Sequence, residues 1–242
     1  MKRGEYDFRI STLSERKEFY SKEFSIKKAK AWFKSNKINL PQICALDPGS
    51  ETGILLNKKQ KGEMLYFPLN ELQKKIKKYY PEDLYYVRNQ YKNPKEVLKT
   101  MKVNSFVSQE LIFDVDADNI RCDHPKHQDA CQKCLNKGFG EALKIKKDLK
   151  KIGFNKIRLV YSGRGFHVHV LDKKAFLLTK KQRRDLTKKF LKYPIDPWVS
   201  EGYIDLIRMP YSLNSLVSRK AIPINNKKEL YSKATIPNFL RN

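Results

Sequence analysis

Asp114 and Asp116 stand two apart in the run FDVDAD at residues 113–118. On an extended strand the side chains alternate between faces, so both carboxylates project the same way. Like charges that close disfavour ionisation unless a cation neutralises them. Hard divalent ions such as Mg²⁺ or Mn²⁺ prefer carboxylate oxygens and keep water positions free for a phosphate. Two such ions about 4 Å apart clamp the attacking and leaving oxygens of an in-line displacement. A strand end dipping into solvent leaves the same Asp-x-Asp pattern, so a third acid is needed. Spacing alone leaves Asp118, Asp172, Asp196 and Asp205 open.

A second cluster reads YSGRGFHVHV over residues 161–170. Gly163 and Gly165 allow a tight turn and close approach of the backbone to a ligand. Ser162 and the turn's N–H groups can form an anion nest, and the Arg164 guanidinium suits phosphate oxygens. His167 and His169 share one strand face, opposite Phe166, Val168 and Val170. Beside an acidic metal strand, such a turn is suited to a triphosphate.

A third cluster holds Cys122, His124, His127, Cys131 and Cys134. Cys131-x-x-Cys134 is a zinc half-site, and Cys122 with one histidine completes a tetrahedral Cys₃His set. No position is left for water, so the site is structural. His124 and His127 both qualify as the fourth ligand. Cys44 stands apart in an apolar run and reads as a small buried hydrophobe.

These residues need elements to hold them. Helical spacing of apolar residues predicts one helix over 12–35, and residues 42–68 read as extended, with a turn at Asp47-Pro48-Gly49 and a Lys-rich loop at 58–62. Asn70 is the expected N-cap of a short helix, and Tyr85–Val87 suggests a strand. Leu111, Phe113 and Val115 alternate with Ile112, Asp114 and Asp116, a strand with one acidic face. The Cys/His loop is expected over 121–136, then a helix through Ile152 closed by Gly153. Strands follow at 157–161 and 166–171, then a helix opened by the Thr179/Gln182 capping box and running to about 192. The tail from 203 alternates short strands and turns. Together these predict one α/β domain over residues 1–242 with a metal-loop insertion.

The chain carries a net charge of +25 and is 40% hydrophobic, which excludes a disordered polyelectrolyte and favours a polyanionic partner. No apolar run is long enough for a membrane helix. The N-terminus lacks a signal-peptide pattern, so a cytoplasmic, nucleoid-associated protein is expected.

Taken in order, FDVDAD, the Cys/His loop, YSGRGFHVHV and the segment from Asp196 to Ile224 resemble the small catalytic subunit of archaeal and eukaryotic DNA primases. The likeness is good over about residues 85–225. It implies a primase core, α/β (α+β) in class, with a palm related to an RNA-recognition motif, a flanking α/β unit and a zinc-loop insertion. The short stretch between the 166–171 strand and Asp196 implies a minimal version. By the resemblance, Asp114, Asp116 and Asp196 bind two Mg²⁺ or Mn²⁺ ions, with Asp196 preferred over Asp205, which should point elsewhere. Ser162, Gly163, Arg164 and His167 hold the incoming triphosphate, and Arg208 is a basic phosphate contact. Asn214 stands where relatives carry a histidine near the nucleotide sugar. His124 is favoured over His127 as the zinc ligand. The implied activity is template-directed primer synthesis from NTPs or dNTPs on single-stranded DNA, with a large partner subunit carrying an iron–sulfur cluster. Two alternatives stand beside it: a stand-alone primase-polymerase or repair polymerase that extends existing primers, and a non-catalytic zinc-stabilised nucleic-acid-binding module.

Overall fold

The structure, a computed structural model, describes residues 8–49, 64–122 and 130–241. The N-terminal region folds as α1 (Leu13–Lys22), α2 (Ile26–Ser35), β1 (Ile43–Asp47), β2 (Leu65–Pro68), α3 (Leu72–Tyr79) and β3 (Asp83–Val87). A hairpin of β4 (Asn89–Tyr91) and β5 (Phe106–Gln109) carries α4 (Pro94–Thr100) between its strands. Then come β6 (Leu111–Val115), the long α5 (Gln132–Lys151), β7 (Ile157–Tyr161) and β8 (Phe166–Val170). The chain ends in α6 (Lys173–Phe176), α7 (Lys180–Lys188), α8 (Pro197–Glu201), β9 (Leu206–Arg208), β10 (Leu213–Asn214), β11 (Arg219–Lys220), β12 (Ile222–Ile224) and α9 (Lys227–Leu230).

Two antiparallel sheets organise these elements. One has the order β12-β7-β8-β6; the other runs β11-β10-β3-β1-β2, with β9 also on β3. Strand alternation divides the four-stranded sheet cleanly. Leu111, Phe113, Val115, Leu159, Phe166, Val168 and Val170 pack with Leu135, Phe139, Ala142, Ile145 and Leu149 of α5 in one core. On the opposite face Ile112 and Val160 join Leu46, Leu84 and Tyr86 of the larger sheet, with Trp32 and Phe33 of α2, in a second core. The acids and histidines thus sit on the face turned toward the second sheet, where water is largely excluded.

Several local readings change. The helix over 12–35 is two helices, because Ser25 accepts an N–H bond from Lys28 and starts a new one. Asn70 is not a cap: it lies in a 3-10 turn, and the following helix begins at Leu72 with no side-chain cap. The segment 121–136 is not all loop, because Cys131 caps α5 and residues from Gln132 onward are helical. The Thr179/Gln182 capping box is present, but that helix ends at Lys188. Gly153 follows α5 at φ 86°, in the left-handed region that favours glycine. The Lys-rich stretch at 58–62 lies outside the described residues. Cys44 is buried, and burial pushes its thiol up to about 12.

Candidate active site

Asp114 occupies the fourth position of β6 and faces His167 across the ladder to β8. The carboxylate Oδ1 lies 3.7 Å from His167 Nε2. On its other side β6 has no regular strand partner, but the chain before α8 returns to it. The Asp196 N–H donates to the Asp114 carbonyl at 2.9 Å, forming an isolated antiparallel bridge. A carboxylate distant in sequence is thereby fastened beside the first by the backbone itself. Asp196 also caps α8, its Oδ1 accepting the Trp198 N–H at 2.8 Å. Asp116 lies just past the strand and caps a short 3-10 turn by accepting the Ala117 N–H at 2.7 Å.

Asp114 carries an electrostatic burden from its two acidic neighbours. Burial, then the charges of Asp116 and Asp196, push the Asp114 carboxyl well above the usual range. Burial also raises Asp116, although Arg164 opposes the rise. Asp205 is not among the groups acting on Asp114. It accepts a bond from Asn89 Nδ2 at 3.0 Å and lines an apolar cavity with Ile43, Tyr66, Val87 and Tyr91. The expectation that all three acids converge is met only in part. Among the described residues, the cysteine trio alone gathers three ligand atoms within 4.8 Å of one another. Asp116 is drawn instead to Arg164, whose Nη2 lies 2.8 Å from its Oδ2 and 3.0 Å from Asp118. The cause is charge: with carboxylates crowded together, the nearest guanidinium is the cheapest neutraliser.

The Ser162–Gly165 turn closes on itself. The Ser162 N–H donates to the Gly165 carbonyl at 2.9 Å, and the Gly165 N–H donates to Ser162 Oγ at 3.1 Å. Gly163 takes φ 103°, and a Cβ there would sit 2.5 Å from Asn214 Cβ. At Gly165 a Cβ would overlap the Val115 carbonyl and crowd Asp116 Cα. Both glycines are therefore demanded by close approach, and the turn is wedged against the acidic strand. Asn214 Nδ2 donates to the Ser162 carbonyl at 3.0 Å, while its Oδ1 is buried without a partner.

His167 is buried between Asp114 and Val160. Desolvation, followed by the fields of His169, Arg208 and Arg88, holds its pKa well below the ordinary value, so the imidazole is neutral. Its Nδ1 is buried and unpaired. Arg208 is not exposed for a phosphate. It is buried and forms a two-pronged ion pair with Asp83, adding bonds to the Leu213 carbonyl and Tyr85 hydroxyl at 3.2 and 3.3 Å. Burial opposes its charge, but Asp83 outweighs burial and raises its pKa. Arg208 still acts on the site through space, lowering both Asp114 and His167. The Asp83–Arg208 pair escaped sequence reasoning because its members sit on different strands of the second sheet, paired by register rather than proximity in the chain.

Behind His167 lies a buried polar network that sequence reasoning also missed. Arg183 donates to the carbonyls of Gln109, Glu110, Ala175 and Leu178, tying α7 to the start of β6. Arg88 donates to the carbonyls of Glu110, Val199 and Ile204. Glu110 accepts from the Tyr86 hydroxyl at 3.0 Å and lies 3.5 Å from His169 Nδ1. These guanidiniums fix the segments that carry the acids.

The thiols of Cys122, Cys131 and Cys134 form a separate centre at the head of α5. Their Sγ atoms lie 3.4 Å (Cys122 to Cys131) and 3.3 Å (Cys131 to Cys134) apart. Sulfurs around a tetrahedral zinc, with Zn–S bonds of about 2.3 Å, stand at roughly this separation. Cys131 accepts the Cys134 N–H at 3.3 Å as the helix N-cap. Burial would raise its thiol, but the donors around it outweigh burial and lower it. Three sulfurs at a helix N-terminus suit a soft divalent ion. The fourth-ligand candidates, His124 and His127, lie outside the described residues.

Comparison with known proteins gives a consistent picture. A family profile described as DNA primase small subunit matches residues 113–194, from the acidic strand to just short of Asp196. An uncharacterized DNA primase small subunit-like protein of Archaeoglobus fulgidus is 34% identical, covering 90% of this chain and 85% of its own length. The DNA primase small subunit PriS of Pyrococcus furiosus is 32% identical over 71% of this chain. The chain spans 46% of that relative's length. The polymerase domain of Mycobacterium tuberculosis ligase D in complex with DNA has a TM-score of 0.49 at 14% identity, covering 93% of this chain and 86% of that one. That likeness is too loose to carry an argument. No described helix is long and apolar enough to cross a membrane.

Proposed function

This chain belongs to the DNA primase small subunit family, and we propose that it is a nucleotidyltransferase that joins nucleotides on a single-stranded DNA template. One observation carries this reading: the backbone bridge that fastens Asp196 beside Asp114, opposite the Ser162–Gly165 turn. A buried carboxylate pressed by two neighbouring acids fits a divalent cation site, because positive charge relieves that repulsion. Asp114, Asp116 and Asp196 would hold Mg²⁺ or Mn²⁺, which when bound lowers the pKa of an attacking 3′-hydroxyl and shields the triphosphate.

The chain's own groups supply the rest. Arg164, paired with Asp116 and Asp118, would shift toward a phosphate once a cation neutralises those acids. Ser162 and the turn's N–H groups orient the triphosphate at short range. His167, neutral and buried, offers a ring N–H without adding charge. Arg208 stabilises developing negative charge through its field, from behind the site. Asn214 presents an unpaired carbonyl oxygen beside the turn, able to accept from a sugar hydroxyl. Cys122, Cys131 and Cys134, with His124 or His127, would hold a structural zinc ion that anchors the head of α5. De novo priming must hold two nucleotides before any primer exists, a task suited to a large partner subunit with an iron–sulfur cluster.

The test is incubation with single-stranded template, labelled NTPs or dNTPs, and Mg²⁺ or Mn²⁺, without and with a primer, and with and without a large subunit. Product without a primer is the expected result. Product only with a primer would make the chain an extending polymerase. No product under any condition would end the enzyme reading.

A further inference from the structure

The short helix behind Asp196 and the turn that follows it carry an aromatic pair that the site above does not use. Trp198 and Tyr203 are 65% and 52% exposed, whereas Trp32 is buried. Their ring centroids lie 6.2 Å apart at an interplanar angle of 59°. The Trp198 backbone N–H is bonded to the Asp196 carboxylate, so the residue that carries the indole lies in the first turn of the helix that the third acid caps. Helix α7 packs against α8 and brings two cations to Tyr203. Lys180 Nζ stands 5.8 Å from the Tyr203 ring centroid, and Arg184 Nη2 donates to the Tyr203 hydroxyl at 2.9 Å. Glu201 lies 3.9 Å from Arg184 and shares its charge.

Exposed aromatic faces set among cations fit a ligand with flat uncharged groups on an anionic backbone. That is the chemistry of a single nucleic-acid strand, whose bases stack on aromatic rings while its phosphates meet lysine and arginine. The chain's net charge of +25 favours the same partner. We propose that Trp198 and Tyr203 form a stacking platform for unpaired bases of a single-stranded DNA template, with Lys180 and Arg184 on its phosphates. The assignment rests on the template-copying reading above. It adds where the unpaired strand lies: over α8, immediately beside the third carboxylate.

Trp198 is its own reporter, being the exposed one of the chain's two tryptophans. The full chain, free of added metal, is titrated with a thymidine oligonucleotide of about 20 bases. Tryptophan emission should be quenched, and Trp198→Phe should remove the quenching. By anisotropy of a labelled oligonucleotide, Trp198→Ala or Tyr203→Ala should weaken binding about tenfold, with Trp198→Phe recovering most of it. Lys180→Ala and Arg184→Ala should each flatten the salt dependence by about one unit of slope. Quenching by free nucleotide but not by the oligonucleotide would overturn the proposal and assign the rings to the incoming base. Unquenched emission together with unchanged Trp198→Ala affinity would overturn it outright. The two readings separate cleanly. Asp114→Asn should abolish synthesis and keep the quenching. Synthesis without quenching removes the platform alone, and quenching without synthesis under any condition removes the enzyme reading alone.

Discussion

Asp114 is held against its own electrostatics. Its raised pKa means that the folded state binds a proton more tightly than the unfolded chain does. That stabilising difference is complete below the ordinary carboxylate pKa of about 4 and is lost as pH rises through the higher folded value. The metal-free protein therefore takes on the repulsion as pH rises through that folded value. Asp114→Asn should raise its melting temperature by a few degrees at pH 7 while abolishing nucleotide transfer. The gain should vanish near pH 4, where both forms are neutral; an equal gain at both pH values would contradict this account. Gly165 gives a complementary prediction. Its absent side chain is what lets the turn lie on Val115 and Asp116. Gly165→Ala must push backbone against backbone and should cost roughly 2 kcal/mol in a denaturant titration, with a larger proportional loss of activity.

Helix α5 begins on a cysteine, a poor cap in its protonated form and a good one as a thiolate bound to metal. Strong chelation, or Cys131→Ala, should fray the first turn of α5 and lower the melting temperature, with a measurable loss of helical circular dichroism. An unchanged melt would deny the zinc assignment. A second element-level prediction concerns Arg183, which binds four carbonyls from inside the protein. Arg183→Ala should destabilise by about 3 kcal/mol or more, since several buried acceptors lose their donor at once. What the sequence revealed follows the same division. Period-two alternation around Asp114 and the glycine turn at 162–165 are local signals, and both were legible. Ser25 was not, because Phe24 and Ile26 keep helical spacing on either side of the break. Nor was the Arg208–Asp83 pair, whose partners meet only through the β3–β9 register. Spacing left four acids in contention for the third position. Only the family resemblance preferred Asp196, and the structure sets it beside Asp114 through a backbone bridge.

At the scale of the molecule, a net charge of +25 must govern encounters with any polyanion. Each phosphate neutralised releases a counterion, so the affinity for single-stranded DNA should fall steeply with salt. With about six contacts, a loss of roughly three hundredfold between 50 and 200 mM salt is expected in an anisotropy titration. A flat response would show that the charge serves solubility alone. The bridge between Asp114 and Asp196 has a further meaning for biosynthesis. A ribosome releases the chain from the N-terminus, and β6, α5, β7 and β8 can pair before Asp196 emerges. A nascent chain could thus present its first two acids and its glycine turn long before the third acid exists. On the proposed reading, competence would arrive late, when the segment before α8 zips onto the edge of β6, and a half-made chain on the ribosome would be a silent one.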